Sequence, residues 1–222
     1  MVLRILWNFG VGAVHRAVTK TTAKAGGGVL YPIVWRARTG ILDCLANKHL
    51  NHASYLSMME LARWHYAGVI GLLPLFPKKP MVFLAAANAI RYRHPIPPFT
   101  SYEVQTRIIH WDDEWMYFLQ QFVSPSSGLV YAEGLCRATV KVGRSRVPMR
   151  DIYREATGLD VEPHKNEMPP VVEELLKWDA ACRENMETAE AQAAALETAK
   201  KPVRDLWGKL TLTWNSPFRK LE

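Results

Sequence analysis

Between Val29 and Val147 only one long stretch repeats with the period of a helix. Tyr55, Met58, Met59, Ala62, Tyr66 and Val69 recur at three- and four-residue steps and form a single apolar stripe. Asn51 stands where an N-cap belongs, and Gly71 with Pro74 ends the pattern. Everywhere else the period is two. Val130, Ala132, Gly134, Cys136, Ala138, Val140 and Val142 alternate with Leu129, Tyr131, Glu133, Leu135, Arg137, Thr139 and Lys141, which predicts a strand with one small, apolar face suited to lying against a helix. Val29–Ile41, Met81–His94, Tyr102–Trp111 and Trp115–Ser124 also read as strands, and Pro- and Asp-rich turns separate the later ones. A lone helix among so many strands must be covered by them. The expected class is α+β, with a mostly antiparallel sheet of about five strands wrapped around one central helix.

The chain is long enough, at 222 residues, to bury a full core around that helix. Its net charge of +7 is unevenly placed. Arg4, Arg16, Lys20, Lys24, Arg36 and Arg38 precede the first acid, Asp43, whereas residues 151–200 hold twelve acids against five bases. A nucleic-acid binder is basic along its binding face, so this distribution and the lack of any such motif exclude nucleic acid as a partner. Cys44, Cys136 and Cys182 are odd in number and widely spaced, which implies neither a disulfide framework nor a zinc ribbon. No metal site and no cofactor are expected.

Three segments follow: a basic amphipathic start (1–28), the helix-and-sheet domain (29–147), and a helical extension with an aromatic and basic tail (148–222). The start combines Leu3, Ile5, Leu6, Trp7, Phe9, Val11 and Val14 with bases and no acid. That composition suits a mitochondrial presequence, a helix lying in a membrane interface, or an arm folded on the domain. The uncharged run Ile5–Val14 is far shorter than the roughly 20 apolar residues that cross a bilayer. In the extension, the Ala/Glu-rich run near Ala189–Lys200 reads as a solvated helix, and Leu206, Trp207, Leu210, Trp214 and Phe218 supply the aromatic tail.

Chemistry-bearing residues gather just ahead of the central helix, in Asn47-Lys48-His49-Leu50-Asn51-His52-Ala53-Ser54-Tyr55-Leu56, followed by Ala62-Arg63. With these go Arg91-Tyr92-Arg93, Tyr102-Glu103-Val104-Gln105-Thr106-Arg107, Trp111-Asp112-Asp113 and Gln121-Phe122-Val123. On these residues the chain resembles the 4-hydroxybenzoyl-CoA thioesterase-like branch of the hotdog superfamily, and is similar within it to thioesterase superfamily member 6 and its fungal relatives. The resemblance spans roughly residues 30–190. It implies a hotdog fold, a homodimer, and an acyl-CoA or other acyl thioester substrate held at the subunit interface. Many relatives carry an Asp-x-Asp pair six and four residues before the motif's His, the second Asp being the usual catalytic carboxylate. Here the pair reads Asp43-Cys44-Leu45, and leucine can neither take a proton nor attack a carbonyl.

The residues themselves supply candidates for the missing role. His49 has the pKa range of an acid–base group at neutral pH. Asn47 and Asn51 carry amides able to orient water or a carbonyl, or else to satisfy the turn. Asp43 and Glu60 are the candidate carboxylates, although Glu60 also sits three residues before Arg63, the spacing of a helix ion pair. Arg137, Lys141 and Arg144 are candidates for the phosphates of coenzyme A, or form a solvated basic strand end. Two functions stay open: hydrolysis of fatty acyl-CoA thioesters, and a catalytically silent module that binds acyl chains or a protein partner. The basic start adds a membrane surface as a possible contact, with a mitochondrial or membrane-associated location.

Overall fold

The computed structural model describes residues 2–19, 26–44, 48–76, 78–162 and 167–198. Leu45, Asn47, Lys20, Lys24 and the aromatic tail from Leu206 onward lie outside these residues. The elements, in chain order, are α1 (Val2–Thr19), β1 (Ile33–Arg38), α2 (His52–Ile70), β2 (Met81–Tyr92), β3 (Ser101–Trp111), β4 (Met116–Val123), β5 (Val130–Val142), β6 (Ser145–Val147), α3 (Met149–Thr157) and α4 (Pro170–Thr198). Two compact units divide after Leu175. The first holds α1 to α3 and the sheet. In the second, the described part of α4 exposes nearly all its residues, as the Ala/Glu composition requires.

Helix α2 begins and ends where its capping residues dictate. The Asn51 side chain accepts from the Ala53 N–H, and Gly71, at φ 94°, closes the helix in the left-handed conformation. The strands pair antiparallel throughout, in the order β1-β3-β4-β5-β2, and short β6 pairs with the end of β5. The sheet wraps α2 as a hotdog. Ala132, Cys136, Ala138 and Val140 of β5 are buried beneath it, and a Cβ built on Gly134 would stand 2.5 Å from Met59 Cε. The small face of β5 thus exists to let α2 approach.

The side of α2 left by the sheet is covered by α1. Gly12 and Gly68 face each other so closely that a Cβ on Gly68 would lie 2.3 Å from the Phe9 carbonyl oxygen, and one on Gly12 2.3 Å from that of His65. Phe9 packs edge-on to Trp64 and Phe76, with ring centroids 5.7 and 5.3 Å away. Arg16 reaches the end of α2, donating to the Ile70 carbonyl and, at 3.1 Å, to that of Ala156. A cation there complements the helix dipole. One side of α1 is thus folded on the domain.

Candidate functional site

The N-terminal end of α2 is held in place from three directions. Asn51 N–H donates to the Asp43 carbonyl and Leu50 N–H to that of Ile96, both at 2.8 Å. Ser54 Oγ also reaches the Asp43 carbonyl, at 3.5 Å. Behind this, buried Thr39 donates its hydroxyl to Pro97 O and receives the Thr100 N–H, which ties the Pro-rich loop to the end of β1. Lys48 adopts φ 56° where the chain turns into the helix.

His49 is half-buried at this turn, with Nδ1 3.0 Å from the carbonyl oxygen of Leu50. A carbonyl only accepts, so Nδ1 carries the proton when the ring is neutral, and Nε2 is left as the basic nitrogen. His52 stacks on Tyr92 at 4.4 Å, Tyr92 meets Tyr55 edge-on at 5.0 Å, and Tyr55 meets Phe122 at 4.8 Å. Tyr92 is the last residue of β2, so the site joins the start of α2 to the end of an edge strand. Tyr55 and Tyr92 stand within the motif runs of the sequence, but neither is among the candidate site residues. The Tyr102 hydroxyl is buried nearby without a hydrogen-bond partner among the described residues.

Electrostatics separate these groups into inert and available. Burial, with the neighbouring tyrosines and Cys44, pushes the Tyr55 phenol up to about 12, and burial also raises Tyr92 and Tyr102. All three stay neutral at physiological pH. Burial raises the Cys44 thiol as well, and Asp43 adds to it, which disfavours the thiolate a nucleophile needs.

Of the two candidate carboxylates, Asp43 is at the site and Glu60 is deeper. The Asp43 side chain accepts the Gly40 N–H at 3.0 Å, within its own turn, while its main chain braces α2. Glu60 lies nine residues beyond Asn51, about 13 Å along the helix axis. Both its oxygens are engaged: Arg63 donates to one at 2.5 Å and Trp64 Nε1 to the other at 2.7 Å. Arg63 is itself buried and continues to Gln120, at 2.9 Å, whose amide donates to Met59 O and Thr106 Oγ1. Glu60 and Arg63 also line an apolar cavity of about 40 Å³ with Trp64, Phe76, Phe83 and Phe118.

Arg137, Lys141 and Arg144 are not gathered with His49 in this chain. Arg137 and Lys141 alternate with Cys136, Ala138 and Val140, so they point to the face of β5 away from α2, and Arg144 is exposed in the β5–β6 turn. The Arg137 guanidinium lies 4.0 Å from the Trp115 ring centre, with Arg146 4.7 Å from the same ring and paired to Glu114. Among the described residues no cluster of His, Cys, Asp and Glu could hold a metal ion.

Comparison with known proteins bears on this arrangement. The family model described as "Thioesterase-like superfamily" matches residues 38–178. Protein THEM6 of Drosophila melanogaster is 34% identical over 93 residues, covering 42% of this chain and 48% of that protein. Thioesterase poxG of Penicillium oxalicum is 29% identical over 136 residues, covering 55% of this chain and 43% of its own length. The chain therefore spans about half the length of these curated relatives. In fold, it is similar to YbaW, a probable thioesterase from Escherichia coli, with a TM-score of 0.51 and 17% identity over 56% of this chain and 95% of that one.

Proposed function

This chain belongs to the thioesterase-like superfamily, and from that membership together with the geometry at the start of α2 we propose that it hydrolyses fatty acyl-CoA thioesters. The observation that carries the reading is the convergence of His49, Asn51, His52 and Tyr92 on one helix N-terminus. A thioester carbonyl brought there meets the positive end of the α2 dipole, and the oxyanion formed during attack is stabilised more than the ground-state carbonyl. Asn51 keeps its side-chain oxygen on Ala53 N–H and presents its amide N–H₂ to the substrate. His49, its Nδ1 committed to the Leu50 carbonyl, offers Nε2 to take a proton from the attacking water. Asp43, whose main chain braces the start of α2, is the first candidate carboxylate and Glu60 the alternative; Asn47 would orient the water. Arg137, Lys141 and Arg144 of a partner subunit would hold the coenzyme A phosphates.

The working unit is a homodimer. Strand β2 pairs with β5 alone among the described strands, so the other edge of its 12 residues is unpaired, and Val82 (53% exposed) and Leu84 (41% exposed) lie along it. A long, unprotected edge of this kind favours strand pairing with a second copy. Tyr92 ends the same strand, so pairing would close the open half of the site.

Leu45 favours a second reading, a silent module that binds acyl chains or a protein partner, because it stands where the resemblance implies an acid. Release of free thiol from a panel of acyl-CoAs separates the two. On the hydrolase reading His49→Ala lowers turnover by about 10²-fold or more, the scale of a lost acid–base group, and either Asp43→Asn or Glu60→Gln lowers it too. Leu45→Asp raises it. No thiol release from the parent protein, with acyl-ligand binding unchanged in these variants, selects the silent module. Turnover that survives His49→Ala, Asp43→Asn and Glu60→Gln alike removes the site from this end of α2.

A further inference from the structure

Helix α1 is apolar on two sides, and the fold buries only one of them. The inner side carries Phe9 and Gly12 against α2. On the outer side stand Leu3 (82% exposed), Leu6 (59%), Trp7 (72%), Val14 (63%) and Val18 (77%). At 100° per residue these positions share one face with Gly10 and Ala17, and that face has no charged residue. A helix face turned to water is normally polar, so this one is built for another neighbour.

What flanks the face identifies the neighbour. An open groove of about 960 Å³ runs between α1 and β1, with Leu61 and His65 of α2 on its floor. Strand β1 pairs with β3 alone among the described strands, so its free edge borders this groove. Leu3 and Trp7 belong both to the outer face and to the groove wall, and Arg4, Arg36 and Arg38 line the same groove. Its acid, Glu103, is already taken by Arg36 at 3.0 Å. The surface therefore passes from an apolar ridge through an exposed tryptophan to unneutralised arginines. That sequence of chemistries matches, in order, the acyl boundary, the interfacial zone and the phosphates of an anionic bilayer.

We infer that α1 and the groove beside it dock this protein on the surface of an anionic phospholipid bilayer. The Leu3–Val18 face enters the boundary between headgroups and acyl chains, while Arg4 and Arg38 meet lipid phosphates. No helix among the described residues is long and apolar enough to cross a membrane, and α1 spends its inner side on α2, so it lies on the bilayer rather than through it. The docking is independent of whether the chain hydrolyses thioesters.

Full-length protein mixed with phosphatidylcholine vesicles, with and without phosphatidylserine, tests this by co-sedimentation. Binding is expected to vesicles containing phosphatidylserine, to be several-fold weaker without it, and to fall as salt rises. Arg4→Gln and Arg38→Gln each weaken it by about fivefold, the factor matching about 1 kcal/mol per base at an anionic surface. The triple change Leu6→Gln, Trp7→Gln and Val14→Gln abolishes it. These side chains are exposed, so the unfolding midpoint stays where it was. The inference is overturned if the parent protein ignores anionic vesicles, or if the triple variant still binds them. It is equally overturned if the parent sediments as an oligomer that the triple variant breaks apart, because a second copy then covers the face.

Discussion

Replacing Gly68 by alanine sets two effects of opposite sign against each other, and the structure decides between them. In an isolated helix alanine is better than glycine by about 1 kcal/mol. At Gly68, however, the new Cβ would lie 2.3 Å from Phe9 O and 2.9 Å from both Ala13 N and Gly12 Cα. All three are backbone atoms of α1, which cannot swing away as a side chain can. Ordinary contact begins at 3.4 Å, so α1 must retreat by about 1 Å. A gap of that size forfeits a quarter to a half of the dispersion energy across the interface, including the contacts of Phe9 with Trp64 and Phe76. Overpacking costs about 1–3 kcal/mol, and a clash with three backbone atoms falls in the upper part of that range, about 2–3, so after the alanine gain the net change is destabilising by about 1–2 kcal/mol, or roughly 2–8 °C for a domain of this size. Gly10→Ala is the internal control: nothing lies within 4 Å of its Cβ, so only the helix propensity acts and the protein should gain stability. Urea unfolding of both variants measures the pair, and proteolysis reports whether α1 loosens. A Gly68→Ala protein as stable as the parent, or more so, would refute the seating of α1 on α2.

Three further outcomes follow from other contacts. Gly134→Ala should cost under about 1 kcal/mol in the same assay despite a 2.5 Å approach, because the obstructing atom is the mobile end of Met59; a loss as large as that of Gly68→Ala would count against this distinction. Arg63→Met leaves Gln120 and Glu60 without their shared cation, and should destabilise by about 3 kcal/mol, whereas a neutral result would mean the network is not formed. His65, held neutral by burial and by His15 3.2 Å away, has its pKa lowered from 6.5 to about 4. Between those values the unfolded chain binds more protons at this ring than the folded one, so stability falls as pH drops from 6.5 toward 4, by up to about 3 kcal/mol. Unfolding midpoints across that range should flatten in His65→Gln, and an unchanged slope would remove His65 as the cause.

The limits of α2, its apolar stripe and the strands around it were legible because each depends on neighbours within a few residues. Asn51 caps its own helix, Gly71 supplies its own left-handed turn, and alternation along β5 marks which face is small. The polar cluster before α2 was legible for the same reason. What the sequence left open depends on contacts between distant segments. Helix α1 is apolar on two sides, so its periodicity cannot say which side packs, and the choice is made by Gly12 meeting Gly68 across 56 positions of chain. Glu60 and Arg63 read as an ordinary helix ion pair until Gln120 of β4 and Thr106 of β3 close the network and bury Arg63. Tyr92 likewise joins His52 only because the sheet order carries the end of β2 to the start of α2. Local propensity set the elements, and the mutual burial of faces that no short window contains decided which of them meet.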